Sequence, residues 1–409
     1  MTNENNKMQV DIDNLFKQNV NDLSAIKELY SKLKDMENKI LQIKYIDSNL
    51  TNKLKKDYEN LKKIILEDVK TINSQMNEFK SQKYKGIAIS ITTNKNDYHL
   101  QQLNTQLNIA KQLKTNVQIA LGVNMGNKNV TGNISLCVTL EQLQNIIDIV
   151  KANNLKVDMI KLHTQTVQGD WSGVDVVPTD INSFFSKYTA ILNDVANVCT
   201  TNNIPILVMC NEQTYIISKS FYNNWLTVKE TLKANYPNLS LSISYTLNRM
   251  REELRDYNLA YANSIPRLLD YIGINIYPTV LREGKRYNYG YMNKNQGLFN
   301  QSYGKESLYY KDSYLSIIKQ VENFLGKVII TETGCIQYDT NTEIGDMKAI
   351  SNTSLRTGTE GKDQELYFKE VYPYLNNISD GIYIWGANAP FTPVNEGLQY
   401  LKNKIRGDL

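Results

Sequence analysis

The stretch IPILVMCNEQ, residues 204–213, decides how the chain reads. An apolar run from Ile204 to Met209 has the look of a strand buried on both faces, and it ends abruptly at Asn211 and Glu212. A second stretch, KVIITETG at 327–334, repeats the pattern and delivers Glu332 just past its own apolar run. A carboxylate at the exit of a parallel strand points into the mouth of a barrel, where β/α enzymes keep their chemistry.

Working outward, six more short β-branched runs share this character. They lie at 85–91, 117–123, 157–163, 239–245, 271–277 and 381–386, with amphipathic helical stretches between them. Eight alternations of strand and helix imply a (β/α)8 TIM barrel over residues 83–409; an open doubly wound sheet is the less favoured alternative. The expected connections are uneven. Long ones follow the strands at 157–163, 271–277 and 327–331, all on the strand-exit side, where long loops build clefts. The second of these carries Tyr287, Tyr289, Tyr291, Phe299 and Tyr303 among glycines and asparagines. Aromatic faces beside amide donors suit sugar rings.

Two strand-end carboxylates on separated strands imply acid/base chemistry with a nucleophile, as glycoside hydrolysis requires. In the retaining form the two carboxyls sit roughly 5–5.5 Å apart, one protonated and one ionised. Glu212 is the expected general acid/base, its pKa raised by burial and by Glu332. Glu332 is the expected nucleophile. Asn211 is placed to donate to a sugar 2-hydroxyl, Tyr277 to donate to Glu332, and Trp385 to floor the sugar site.

On these residues the chain resembles clan A glycoside hydrolases, whose signature is Asn-Glu ending strand 4 and a glutamate ending strand 7. More closely it resembles glycoside hydrolase family 113, the β-mannanase-type barrels and their phage-associated relatives. The resemblance rests on KGI at 85–87, KLH at 161–163 with GDWSG at 169–173, DYIGINIYP at 270–278 and ITETG at 330–334. It covers roughly residues 84–405. The likeness implies that Glu212 is the acid/base, Glu332 the nucleophile, and that Lys161, His163, Asp170 and Trp171 line the glycone side. Many clan A enzymes carry an arginine at the end of strand 2 that supports the nucleophile. Here that region reads GVNMG, with Asn124 the nearest polar group. Either Lys161 takes over that support or the support is lost, and the second case leaves a barrel that binds carbohydrate without cleaving it.

Residues 1–82 differ in character: they contain no glycine or proline. Ile26, Leu29, Leu33, Met36, Ile40, Ile43, Leu50, Leu54, Leu61 and Ile64 follow the a/d seam of a coiled coil, interrupted at Asp47 and Asp57. From Ile65 through Val69, Ile72, Met76 and Phe79 the seam shifts, a stutter. Such a stripe needs a partner. A second chain supplies it if the helix is continuous, the chain itself if residues 47–51 turn, and the barrel if the helix packs there.

The 409 residues carry 46 basic and 42 acidic side chains, an interleaved balance that argues against a nucleic-acid footprint. No run of roughly 18 apolar residues predicts a membrane span, and Met1–Val10 lack the apolar core of a secretory signal. Cys137, Cys199, Cys210 and Cys335 have no paired spacing, and with two histidines no metal or organic cofactor is expected. Synthesis in the cytosol, free thiols and a leading coiled coil fit a bacteriophage virion or tail protein acting at the bacterial surface. Its partner would be a polysaccharide, mannan by family likeness or a capsular or wall glycopolymer by setting.

Overall fold

The structure, a computed structural model, describes Lys56 and residues 84–91, 96–126, 129–130, 134–165, 176–256, 264–278, 280–281, 314–335, 343–344, 360–386 and 391–406. The coiled coil expected over residues 1–82 lies outside the described residues.

Eight strands form the centre: β1 (Tyr84–Ile91), β2 (Asn116–Asn124), β3 (Val157–Gln165), β4 (Ile206–Asn211), β5 (Ser240–Thr246), β6 (Tyr271–Asn275), β7 (Val328–Thr333) and β8 (Gly381–Trp385). Each pairs in parallel with its neighbours in chain order. β1 also pairs with β8, from Tyr84↔Gly381 to Ala88↔Trp385, and with β2, from Gly86↔Asn116 to Ile91↔Leu121. That double pairing closes the ring, so the barrel has no open edge there. The helices are α1 (Asn96–Leu113), α2 (Leu140–Ala152), α3 (Ile181–Thr201), α4 (Tyr222–Asn235), α5 (Leu247–Asp256), α6 (Tyr314–Leu325), α7 (Glu360–Asn377) and α8 (Asn395–Arg406). The (β/α)8 architecture is the one the alternating pattern predicts.

Local sequence sets the helix ends. Thr139 caps α2 in a capping box: its Oγ1 accepts from the Gln142 N–H at 3.1 Å, and the Thr139 N–H donates to Gln142 Oε1 at 2.9 Å. Asp180 caps α3 through the Ser183 N–H at 3.0 Å. Asn154 and Asn203, both at φ 57, follow the ends of α2 and α3 in the left-handed conformation that glycine more often takes.

Strand side chains divide by parity. Ile206 and Val208 of β4 join Tyr84, Met159, Tyr271, Ile329 and Tyr383 in a cluster inside the barrel. Leu207 and Met209 belong instead to the larger core between strands and helices. Tyr84 and Tyr271 come from non-adjacent strands, and their rings meet edge to face at 5.7 Å across the interior. The filling is tight: a Cβ on Gly273 would lie 2.8 Å from Ser244 Oγ and 2.9 Å from the Ile243 carbonyl oxygen. A packed interior leaves the strand-exit end as the place for a site. At the loops, Val280–Leu281 pairs antiparallel with Glu343–Ile344, tying the connection after β6 to the one after β7.

Candidate active site

Both glutamates stand where regular strand pairing breaks. Between Val208 and Asn211, β4 slips register against β5, and Glu212 follows at φ 56. Its N–H donates to the Ser244 carbonyl oxygen at 2.8 Å, which pins this conformation. A side chain in the left-handed region costs roughly 1–2 kcal/mol, a strain that concentrates at functional sites. β7 slips against both β6 and β8 just after Ile330. Bulges of this kind re-aim a side chain.

A chain of hydrogen bonds holds Glu212. Ser244 Oγ donates to Thr331 Oγ1 at 2.8 Å, and Thr331 Oγ1 donates to Asn275 Oδ1 at 2.7 Å. Because the Asn275 oxygen is taken, its nitrogen faces the other way. It donates to Glu212 Oε1 at 2.8 Å and to Asn211 Oδ1 at 2.9 Å. Behind this chain, Gln118 of β2 donates to the Thr331 carbonyl oxygen at 3.1 Å. At this end of the chain of bonds, buried Asn211 Nδ2 and Glu212 Oε2 have no partner among the described residues. A buried donor beside a buried carboxyl oxygen is unfavourable unless something else satisfies them, which makes this a place for a ligand hydroxyl.

Glu332 is held on both oxygens. Lys161 Nζ forms an ion pair with Oε1, and the Tyr277 hydroxyl donates to Oε2 at 2.7 Å. Lys161 is 0% exposed and its ammonium lies 5.0 Å from the centre of the Trp385 ring. His163 stacks on the same ring, centroids 5.9 Å apart and planes 28° apart. Tyr277 in turn packs against Phe391 at 5.6 Å.

Burial sets the charges. It pushes the Glu212 carboxyl up to about 8, helped by the charge of Glu332 and opposed by the Asn275 hydrogen bond and by Lys161. Burial likewise pulls His163 down to about 4, so its ring is neutral near pH 7. Lys161 is lowered by burial, while Glu332 and, more weakly, Glu212 favour its charged form. The Tyr277 hydroxyl is held well above its usual value by burial first and then by Glu332, and it stays a donor.

Seven of the residues singled out from the sequence thus meet at the exits of five strands: Lys161, His163, Asn211, Glu212, Tyr277, Glu332 and Trp385. Asp170 and Trp171 lie outside the described residues, as do Tyr287, Tyr289, Tyr291, Phe299 and Tyr303. Asn124, at the end of β2, accepts from the Gly126 N–H at 3.0 Å, a local turn bond. Sequence reasoning passed over Asn275, Thr331, Ser244 and Gln118. A signal was present: Asn275 stands two residues before Tyr277 and so faces the same side as it in an extended chain. All four cysteines are buried and none is joined in a disulfide. Among the described residues no cluster of His, Cys, Asp and Glu could hold a metal ion, and no helix is long and apolar enough to cross a membrane.

No family model matches the chain, and no curated protein does. Solved structures do. A family 113 β-1,4-mannanase superposes with a TM-score of 0.54 at 13% identity, covering 80% of this chain and 99% of that one. A family 113 β-mannanase from Alicyclobacillus acidocaldarius superposes at 0.55 with 11% identity, covering 79% and 96%. The fold is that of the family 113 β-mannanases. At such identities the likeness carries the barrel alone.

Proposed function

We propose that the chain is a retaining glycoside hydrolase acting on a polysaccharide. One observation carries the reading. A buried carboxyl kept protonated near neutrality, Glu212, faces a carboxylate, Glu332, that accepts from an ammonium and a phenol. That is the pairing of unlike carboxyls that glycoside cleavage by double displacement needs.

In the first half-reaction Glu332 attacks the anomeric carbon as the bond to the leaving oxygen breaks. Glu212 passes its proton to that oxygen. Asn211 Nδ2, without a partner among the described residues, donates to the sugar 2-hydroxyl, a bond that tightens as positive charge builds on the ring. In the second half-reaction Glu212 takes a proton from water, the water oxygen bonds the anomeric carbon, and Glu332 leaves as carboxylate. Trp385 and His163 supply a flat wall beside the ring.

The substrate class is a β-mannan-like chain, by family likeness, or a bacterial surface glycan, which fits the phage setting expected from the sequence equally well. Residues 1–82 in this reading oligomerise the protein or dock it on a larger assembly, so that several weak sugar sites act together. A strictly monomeric species at micromolar concentration in light scattering would overturn the oligomeric part.

The test is release of reducing ends from a panel of β-mannans and purified bacterial polysaccharides, comparing wild type with Glu332→Gln. Release by wild type alone supports the enzyme. Binding of a glycan with no release by either protein replaces it with a receptor-binding barrel.

A further inference from the structure

A buried site that works by double displacement must hold one negative charge throughout. In the resting state that charge is on Glu332 and Glu212 is protonated. After glycosylation Glu332 is a neutral ester and Glu212, having given its proton to the leaving oxygen, carries the charge. The anion therefore crosses the site during every turnover. One cation, fixed between the two positions, would serve both states.

Resting on the glycosidase reading above, we propose that Lys161 is that cation. It is a positioning residue that pairs with Glu332 before glycosylation and then serves as counterion to ionised Glu212. Its placement fits the task. Lys161 is fully buried on β3, a strand that pairs with β4, which leads into Glu212. Its ammonium contacts Glu332 of β7 and lies over the Trp385 ring of β8. The titratable groups around it are Glu332, Glu212, His163 on its own strand and Tyr277 after β6. His163 is neutral and Tyr277 protonated, so among the described groups the ammonium answers to the two carboxyls. Lys161 and Glu212 are close enough to interact once Glu212 ionises, each favouring the other's charged form. The water that deglycosylates the enzyme meets a Glu212 turned into a base without any ion entering or leaving.

The test needs no sugar. Glutamate labelled with carbon-13 at the side-chain carboxyl reports the Glu212 titration, assigned by the signal missing in Glu212→Gln. Glu332→Gln imitates the neutral, esterified nucleophile. In that variant the Glu212 proton affinity should fall far below the wild-type level. In Glu332→Gln combined with Lys161→Met the fall should be at least about tenfold smaller. Lys161→Arg in the Glu332→Gln background should keep the full fall. The double variant buries no unpaired charge, so it is the combination expected to fold. An equal fall with and without Lys161 would falsify the proposal, because it would mean that only the lost repulsion from Glu332 matters. Failure of the glycosidase reading shows separately, as silence in the sugar-release assay.

Discussion

The amide of Asn275 donates to Glu212 Oε1 at 2.8 Å, and its carbonyl oxygen accepts from Thr331 at 2.7 Å. The acid of the site is thereby aimed by a side chain on β6 whose own orientation is set from β7. Because both amide hydrogens of Asn275 are used, on Glu212 and on Asn211, one residue positions the proton donor and the 2-hydroxyl ligand together.

Asn275→Ala should lower kcat about 10–100-fold, the worth of a hydrogen bond to a group that becomes charged in the reaction. The sign of its pH effect separates positioning from simple damage. Asn275 favours the ionised form of Glu212, so its loss should move the basic limb of kcat/KM to higher pH. A limb that stays in place, or moves down, contradicts the role.

Wild-type kcat/KM should fall on the basic side with a midpoint near pH 8, where free Glu212 loses its proton. Glu212→Gln should remove that limb along with most of the activity. A pH profile flat through pH 9 would show that Glu212 is not the acid.

The same group predicts a stability change. Its folded value, about 8, lies above its ordinary 4.5, so the folded state holds the proton more tightly than the unfolded state does. The contribution is fully present below pH 4.5 and is lost as pH rises toward 8. Glu212→Gln does not titrate. Its Tm relative to wild type should therefore climb between pH 5 and pH 8, measured by calorimetry across buffers of equal ionic strength.

Tyr277→Phe deletes a 2.7 Å bond to Glu332 while leaving the ring against Phe391. Loss of kcat by about 10–100-fold with a modest loss of stability, about 1–3 kcal/mol, is expected. A collapse of stability instead would mark Tyr277 as a packing residue.

Gly273→Ala tests the packing beneath the site. Its Cβ would press on Ser244 Oγ and the Ile243 carbonyl oxygen, at the root of the chain that ends at Asn275. Overpacking of this kind costs about 1–3 kcal/mol in urea unfolding, with activity falling through the disturbed Ser244–Thr331 bond.

Much of this was legible in the letters. Eight apolar runs set the barrel strands, since a strand covered on both faces must be apolar whatever its neighbours are. The change to Asn211-Glu212 and to Glu332 at two strand exits marked the carboxylates, because position along the chain alone puts a residue at a strand end. The support of Glu332 by Lys161, one of two alternatives the resemblance left open, could not be decided in that way; the structure shows the pair. The two are 171 residues apart, and only closure of the ring sets β3 and β7 facing each other.

Nor does alternation along β7 predict the site. Ile329 points inside the barrel, so strict period-two reading puts Thr331 inside and turns Glu332 toward the helices. In the structure Thr331 bonds Ser244 and Asn275 within the barrel, and Glu332 also reaches inward to Lys161 and Tyr277. Two consecutive side chains share one face only because the strand slips register after Ile330. The sequence by itself determined which residues are strands and which carboxyls stand at their exits, because hydrophobic burial is written locally. Which way those carboxyls turn and what holds them was decided by the closed barrel, because a bulge and a cross-barrel ion pair exist only once all eight strands are in place.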